Sequence, residues 1–575
     1  MSGKAFGTLR GTVLALALMV AGAGAVSADS LSGDYLAARQ ASFAGDFKAA
    51  ARYYGEAVKH DPENADLLER AALANIGLGD FVRAEALAER LTALGHSSQI
   101  GQLAEIAVLA HEENYAELLK RVEEDRSAGS LVDGLLKAWA ELGRGDVSAA
   151  LASFDAVAEE RGLAGFAAYH KAMALASVGD FEGAEAIFAD PAGGGMQMTR
   201  SAVLARIQIL SQINRQSDAV SLIDEAFGQQ LDPGMEELRA KLEAGETLPF
   251  DIVTSARDGI AEVFFTIAGA LANESAEDYT LLHVRVAEYL RPDHVGALLM
   301  AGELLEKMGQ YELAAATYRR VPREDAAYHV AELGRSDALR AEGKLDAAVE
   351  VLEQLADTHG NLPAVQSALG DLMRQLERYG EAITAYDRAL ATFAEPDQAQ
   401  WFLYYARGIC KERSGNWEAA EKDFRAALEF VPNQPQVLNY LGYSMVEHHV
   451  NLDEALAMIE RAVEAEPQSG YIVDSLGWAL YRLGRYDEAV GHMERAAELM
   501  AVDPVVNDHL GDVYWAVGRK TEARFQWQRA LSFVGWEDAS DDVEPERIRR
   551  KLAVGLDTVL AEEGRPPLKV AHDVE

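Results

Sequence analysis

The stretch Ser475–Leu499 reads SLGWALYRLGRYDEAVGHMERAAEL, and the spacing of its small residues decides the fold. Ala489 follows Gly477 by twelve residues, and a second alanine comes seven residues later. The same skeleton occurs once before this stretch and once after it, so that the first alanines lie 34 residues apart, at Ala455, Ala489 and Ala523. A fixed period of this length predicts a repeated pair of helices joined by a turn.

The small residues have a physical role in such a pair. Two antiparallel helices approach closely only where side chains are minimal, so glycine or alanine is expected where the helices cross. Ala489, Met493 and Ala496 fall at i, i+4 and i+7, which places them on one face of the second helix. Pro467, twelve residues after Ala455, ends the second helix of the preceding pair. Gly484–Asp487 is predicted to be the turn between the two helices.

The position of the first alanine can be followed through nearly the whole chain. Counting one degenerate unit at Thr280, it predicts about fourteen helical pairs. Two units hold isoleucine at the helix crossing, Ile106 and Ile207, and are expected to be more widely spaced. The positions are Ala50, Ala84, Leu118, Ala150, Ala184, Ala219, Thr280, Ala314, Ala348, Ala382, Ala420, Ala455, Ala489 and Ala523.

Composition supports an all-α fold. Hydrophobic residues make up 49% of the 575-residue chain, enough for a stacked core. The chain is rich in Ala, Leu and Glu and has few β-branched runs, which favours helices over sheets. The predicted organisation is a signal peptide (1–28), an N-terminal repeat array (29–231), an irregular junction (232–258), a C-terminal repeat array (259–533), and an acidic linker, capping helix and loose tail (534–575).

The first 28 residues have the features of a cleaved export signal. Lys4 and Arg10 precede a short apolar run from Thr12 to Val20, and Val26–Ala28 ends in small residues. The run is short for the ~20 residues that a spanning helix needs, so cleavage is favoured over an anchor. We expect cleavage after Ala28 and a periplasmic location. The rest of the chain contains no predicted membrane span, so the mature chain is expected to lack an integral membrane segment.

Charge restricts the class of partner. The formal net charge is −40, from 53 Lys and Arg against 93 Asp and Glu. Such a field repels phosphate backbones and anionic lipid, so nucleic-acid partners are excluded, and basic or neutral partners are favoured. A solvated acidic surface that keeps a long molecule soluble explains the charge equally well. Cys410 is the only cysteine, which excludes a disulfide within the chain.

The sequence contains no pattern that predicts catalysis. His448 and His449 are adjacent in a turn, but a metal site needs further ligands. Gly193–Gly195 follows a helical segment and precedes no Lys-Ser/Thr pair, so it is predicted to be a turn rather than a phosphate loop. The prediction is a non-enzymatic protein without catalytic residues, cofactor or metal.

The Leu-Gly, Ala, large residue, Ala and Pro pattern closely resembles the tetratricopeptide repeat (TPR) family. The resemblance implies an α-solenoid, a right-handed superhelix of about fourteen units ending in a capping helix, whose first helices line a concave groove that binds proteins or peptides. Mapped unit by unit, the groove-facing and partner-binding residues are Tyr405, Asn439, Tyr443, Asp474, Trp478, Tyr481, Asp508, Asp512 and Trp515. The family's chaperone-binding clamps need lysines beside asparagine, and only Asn439 matches that pattern.

The segments Leu438–Tyr443, Asp474–Trp478 and Tyr481–Gly484 also resemble bacterial envelope TPR adaptors such as LbcA, the adaptor of a C-terminal processing protease. That resemblance implies a periplasmic scaffold or adaptor that delivers substrates to an envelope protease. The chain departs from it in lacking a lipid-attachment cysteine near the cleavage site. The alternative function is a structural or assembly factor of an envelope complex.

The aromatic residues among the nine have two interpretations. In the first, they form a groove surface that binds a partner, with the neighbouring acids selecting basic or amide-rich segments. In the second, the rings fill the seams between repeats, because Trp and Tyr are often partly buried for packing alone. The sequence leaves both open.

Overall fold

The computed structural model describes residues 31–124, 130–190, 196, 198–228, 231–272, 274–535, 543–565 and 568. Within these ranges the chain forms 31 helices and no β-strand. The predicted signal peptide lies outside the described residues, as do Gly193–Gly195. The chain divides into two compact units, Met1–Leu352 (unit 1) and Glu353–Glu575 (unit 2).

Twelve helices are described within the predicted N-terminal array. They are α1 Leu31–Phe43, α2 Phe47–His60, α3 Ala65–Gly77, α4 Phe81–Ala93, α5 Gln99–His111, α6 Tyr115–Glu123, α7 Ser130–Gly143, α8 Val147–Glu159, α9 Ala164–Ser177, α10 Phe181–Phe188, α11 Arg200–Gln212 and α12 Gln216–Phe227. A single helix, α13 Pro233–Glu243, follows. The predicted junction at 232–258 therefore contains a helix and lies within unit 1. The predicted domain boundaries remain predictions.

The helices after α13 return to the same alternation. They are α14 Ala256–Leu271, α15 Glu277–Leu290, α16 Val295–Lys307, α17 Tyr311–Tyr318, α18 Tyr328–Ala341, α19 Leu345–His359, α20 Pro363–Gln375, α21 Tyr379–Ala391, α22 Gln400–Arg413, α23 Trp417–Phe430, α24 Pro435–Glu447, α25 Leu452–Ala465, α26 Gly470–Arg482, α27 Tyr486–Leu499, α28 Pro504–Ala516 and α29 Lys520–Phe533. Two last helices, α30 Pro545–Val554 and α31 Leu556–Glu562, follow α29.

Setting α13 aside, the helices from α1 to α29 form fourteen successive first-and-second pairs. The solenoid of about fourteen repeats is confirmed. The fourteen repeat positions followed in the sequence are at most 1% exposed, including Thr280 in the degenerate pair α14–α15. Each of these side chains is therefore packed into a helix crossing. Ile106 and Ile207 are also buried, at the positions where other repeats carry alanine or glycine.

The crossing glycines face the large residue four places after the repeat alanine. A Cβ on Gly408 would lie 2.7 Å from Phe424, and one on Gly370 would lie 2.7 Å from Tyr386. Real Cβ atoms do not approach neighbours this closely, so a side chain at either position requires displacement of the ring. In these repeats the glycine on one helix leaves room for the large side chain on the facing helix. The two positions therefore recur together with the repeat period.

The turns inside the early repeats share a Gly-Asp pair. Asp80 and Asp146 each accept the backbone N–H three residues later and so cap the second helix. The residue before each cap is a glycine with positive φ, at +79° for Gly79 and +85° for Gly145. Glycine suits this left-handed conformation because it has no Cβ. The Gly-Asp pair thus ends one helix and begins the next.

Candidate functional site

The surface lined by the first helices of the repeats, called here the first-helix face, differs between the two units. In unit 1 the chain itself occupies part of this face. Helix α14 contacts the first helices α5, α7 and α9, and α15 contacts α3 and α5.

The contacts made by α14 and α15 are those of a packed core. Gly259 of α14 lies against the Trp139 ring, where a Cβ would overlap the indole. The Tyr169 hydroxyl donates to Glu262 Oε1 at 2.8 Å. On α15, Arg285 Nε donates at 3.1 Å to the backbone oxygen of Gly77, at the end of α3. This part of the unit 1 face is therefore closed to a partner.

A buried polar network ties α14 to the array. Trp139 Nε1 donates to His170 Nδ1 at 3.3 Å, so the other ring nitrogen carries the hydrogen and donates to Thr266 Oγ1 at 3.2 Å. Burial lowers the pKa of His170 to about 4, which keeps the ring neutral. Glu262 also pairs with His294 at 3.1 Å. Burial would raise the pKa of Glu262, but its bonds to His294 and Tyr169 lower it.

In unit 2 the first-helix face is formed by α20, α22, α24, α26 and α28. Among the residues described there, no helical pair covers this face as α14 and α15 do in unit 1. Helices α30 and α31 lie against its C-terminal end, where side chains of both helices hydrogen-bond to residues of α28. The open part of the face therefore runs from α20 to α26.

The nine predicted partner-binding residues lie on four of these helices, and their exposure divides them. Five are buried, namely Asn439, Asp474, Tyr481, Asp512 and Trp515. The other four are half-buried: Tyr405, Tyr443, Trp478 and Asp508. Burial of Tyr481 and Trp515 fits the seam interpretation for these two rings. The partner-binding role of the whole set stays a prediction.

At the C-terminal end, the acids are paired within the chain. Lys551 of α30 is fully buried, and its ammonium lies 2.5 Å from Asp508 Oδ1 and 2.6 Å from Asp512 Oδ1. Burial and then the Asp512 charge raise the pKa of Asp508. Trp515 Nε1 donates to Asp557 of α31 at 3.0 Å. The predicted capping element therefore occupies this end of the face with a basic side chain.

In the middle of the face, Trp478 is held between other rings. It stacks on His509 with centroids 3.9 Å apart and on Tyr481 at 4.8 Å. His509 in turn pairs with Asp474 at 3.0 Å. Burial alone would lower the pKa of His509, but Asp474 and the two acids of α28 raise it. Asp474 is therefore also committed to an internal ion pair.

The open part of the face carries two exposed aromatic rings, one on α22 and one on α26, that the sequence interpretation missed. Phe402 is 38% exposed and Tyr471 is 46% exposed. Each lies three residues before a predicted residue, Tyr405 and Asp474 respectively, and so on the same helix side. Burial and the nearby Tyr471 raise the pKa of Tyr405 to about 12. If the sequence interpretation had included the position three residues before each predicted residue, it would have identified both rings.

Asn439 lies on α24, between the helices that carry these rings. Its side chain is only 7% exposed, and its Oδ1 accepts no hydrogen bond from the described residues. A buried amide oxygen without a donor is costly, so this atom is an unsatisfied acceptor inside the chain.

The described residues show neither a metal site nor a membrane-spanning helix. They contain no cluster of three His, Cys, Asp or Glu side chains that could hold a metal ion. His448 stacks on Trp417 with centroids 4.5 Å apart. Cys410 is buried, which raises its thiol pKa to about 11. In the described ranges, no helix combines the length and hydropathy required to cross a bilayer.

Comparison with known proteins finds similar chains at low sequence identity. A TPR repeat-containing protein of Pseudomonas aeruginosa is 27% identical over 187 residues, which cover 32% of this chain. The chain spans about 30% of that relative's length. Among solved structures, the APC/C hetero-tetramer Cut9–Hcn1 matches with a TM-score of 0.37 and 15% identity, covering 91% of this chain and 95% of that one. A tetratricopeptide repeat protein from Parabacteroides merdae matches with a TM-score of 0.35 and 16% identity, covering 51% of this chain and 97% of that one.

Sequence profiles of the tetratricopeptide repeat match six segments. These are residues 44–105, 135–195, 296–326, 333–399, 367–435 and 449–504. Together they cover more than half of the chain, on both sides of α13. With the fourteen helical pairs and their buried repeat positions, they show that the chain belongs to the tetratricopeptide-repeat family.

Proposed function

We propose that this chain is a non-enzymatic scaffold or adaptor that binds partner proteins or peptide segments on the open first-helix face of unit 2. Tetratricopeptide repeats generally mediate protein–protein interactions. The observation that carries the proposal is the exposure of Phe402 and Tyr471 on a face that no helical pair among the described residues of unit 2 covers. Exposed aromatic rings provide large contact areas at low entropic cost.

The first step of the test identifies the partner by cross-linking in intact cells and mass spectrometry. Its affinity is then measured for the wild-type chain and for Tyr471→Ala, Phe402→Ala and Trp478→Ala. We expect at least one ring to be a hot spot whose loss weakens binding by about 2 kcal/mol. Because Tyr471 and Phe402 are exposed, their variants should keep the wild-type unfolding midpoint.

Phe525→Ala is the matched control, since Phe525 is 64% exposed but lies on the second helix α29. Equal losses in the control and the three variants would contradict the assignment of the face. A constitutive partner whose binding none of the variants affects would favour the alternative function, a structural or assembly factor.

We also propose that the chain is exported to the periplasm and that one partner is a C-terminal processing protease. The basic and apolar pattern of residues 1–28 supports export, and the likeness of Leu438–Tyr443 to envelope adaptors supports the protease. N-terminal sequencing should find Asp29 first; a cytoplasmic chain starting at Met1 would refute export. Co-purification of such a protease, reduced by Tyr471→Ala, tests the partner.

A further inference from the structure

Unit 1 contains a cleft at the place where its first repeat meets the helices that follow α14. The end of α1 and parts of α2 and α3 form one wall, and the start of α15 and Met308 form the other; the cleft volume is about 420 Å³. The walls are tied together by the Arg285 contact to Gly77 and by an ion pair of 3.3 Å between Lys48 and Glu312. The cleft therefore lies between the first helices of unit 1 and the later helices that pack back onto them.

An exposed ring stands at this cleft. Phe43, the last residue of α1, is 90% exposed, while Phe47 beside it is buried. Leu36 lies seven residues earlier, on the same side of α1, and is 64% exposed. Full burial of a phenylalanine side chain is favourable by roughly 1.5–3 kcal/mol, so a ring left in water beside a partly apolar cleft indicates a contact surface.

The charged side chains at the cleft that lack an ion pair among the described residues are acidic. Glu277 and Asp278 are exposed on the wall formed by α15, and neither forms an ion pair within the part of the chain that the structure describes. Arg70, on the opposite wall, already contacts both oxygens of Asp66 at 2.9 Å. Lys48 nearby is paired with Glu312. The uncompensated charge of the cleft is therefore negative.

We propose that this cleft is a second docking surface, which binds a partner segment carrying a large apolar side chain next to lysine or arginine. The apolar group packs against Phe43 and Leu73, and the cation faces Glu277 and Asp278. The surface is distinct from the first-helix face of unit 2, so the chain can engage two different segments. Its partner chemistry also differs, because the acids of the unit 2 face are paired internally while these two are not.

The test uses the full chain and a phage-displayed library of random peptides as the probe. Selected peptides should combine an aromatic or large aliphatic residue with a neighbouring Lys or Arg. Phe43→Ser should weaken their binding at least tenfold, and because Phe43 is so exposed it should leave the unfolding midpoint unchanged. The double variant Glu277→Gln, Asp278→Asn should weaken binding and reduce its dependence on salt concentration.

Val82→Ser is the control, since Val82 is 68% exposed on α4 and does not line the cleft. Tyr471→Ala separates this surface from the proposed function, because it should leave the selected peptides bound. The proposal fails if the selected peptides bind Phe43→Ser as tightly as wild type, if they lack basic residues, or if the library yields no peptide whose binding depends on Phe43.

Discussion

At the scale of single residues, the crossing glycines are the positions where a change should be most damaging. Gly477 illustrates the reason, since an added Cβ would lie 2.6 Å from Met493 Cγ and 3.2 Å from the backbone nitrogen of the same residue. The methionine can move, but the backbone cannot follow without shifting α27. The glycine is therefore required by contact rather than by its own backbone conformation.

We predict that Gly477→Leu lowers the free energy of unfolding of unit 2 by about 1–3 kcal/mol through overpacking. Gly491→Leu is the matched control, because Gly491 is exposed in the same repeat and a Cβ there meets nothing within 4 Å. The control should be neutral or stabilising by about 0.5–1 kcal/mol, since leucine is the better helix former. Urea denaturation gives both values.

Hydrogen exchange locates the damage. Neighbouring repeats provide most contacts in such arrays, so the loosening in Gly477→Leu should centre on α24 to α29. Equal loosening of α1 to α12 would contradict this local response.

At the scale of elements, the C-terminal pair α30 and α31 shows how the array ends. Ile548 and Leu556 are fully buried, so the two helices cover an apolar surface that would otherwise face water. The buried Lys551 pairs with two acids of the last repeat and fixes where α30 lies. A buried charge without its partner is costly, which makes this pairing a sensitive point.

Lys551→Ala should therefore destabilise the C-terminal end of unit 2 by about 3–5 kcal/mol, because the buried Asp512 would lose its nearest cation and be left with Arg547 at 3.7 Å. Arg549→Ala is the control on the same helix. Arg549 is exposed, and among the described residues it pairs with Glu546 one turn away, so its loss should cost at most about 1 kcal/mol. Hydrogen exchange of α28 and α30 measures both, and unchanged protection in Lys551→Ala would show that apolar packing alone holds the cap.

At the scale of the whole molecule, a buried histidine in unit 1 and a partly buried one in unit 2 should give the units opposite responses to acid. His170 in unit 1 has a folded-state pKa of about 4, below the ~6.5 of an unfolded chain. The unfolded state therefore takes up the proton first, and unit 1 loses roughly 2 kcal/mol by about pH 5. His509 in unit 2 has a raised pKa, so its contribution is complete below the unfolded value and is lost as pH rises through the folded one.

The measurement is hydrogen exchange at about pH 7.5 and pH 5, corrected for intrinsic exchange rates. Protection of α7, α9 and α14 should fall on acidification, while the His509 pair should favour protection of α26 and α28. His170→Gln should remove much of the pH dependence of unit 1, and His509→Gln should act only on unit 2. If His170→Gln leaves the acid response of unit 1 unchanged, another group controls it.

What the sequence predicted well is what depends on near neighbours. The repeat positions from Ala50 to Ala523 recur about every 34 residues because each repeat packs on the next. The spacing breaks once, before the degenerate pair at Thr280, whose repeat position is nevertheless buried like the others. The occupation of the unit 1 face by α14 and α15 could not be predicted, because Arg285 meets Gly77 from 208 residues away and no local pattern encodes that contact.

The candidate site was partly predictable from the sequence. Helix positions identified Tyr405 and Trp478, but the pairing of Asp512 with Lys551 depends on the path of the chain after α29.

The closure of unit 1 also constrains how the gene can change. Solenoids commonly gain or lose whole repeats by duplication and deletion, because any repeat can stack on any other. Between α3 and α14, however, an added repeat would carry Gly77 away from Arg285 and misplace α14 against α5, α7 and α9. In unit 2 the described polar contacts of the cap are made to the final repeat, and a unit inserted before α28 would leave the pairing of Lys551 intact. Related chains should therefore differ in repeat number in unit 2 while the count in unit 1 stays fixed.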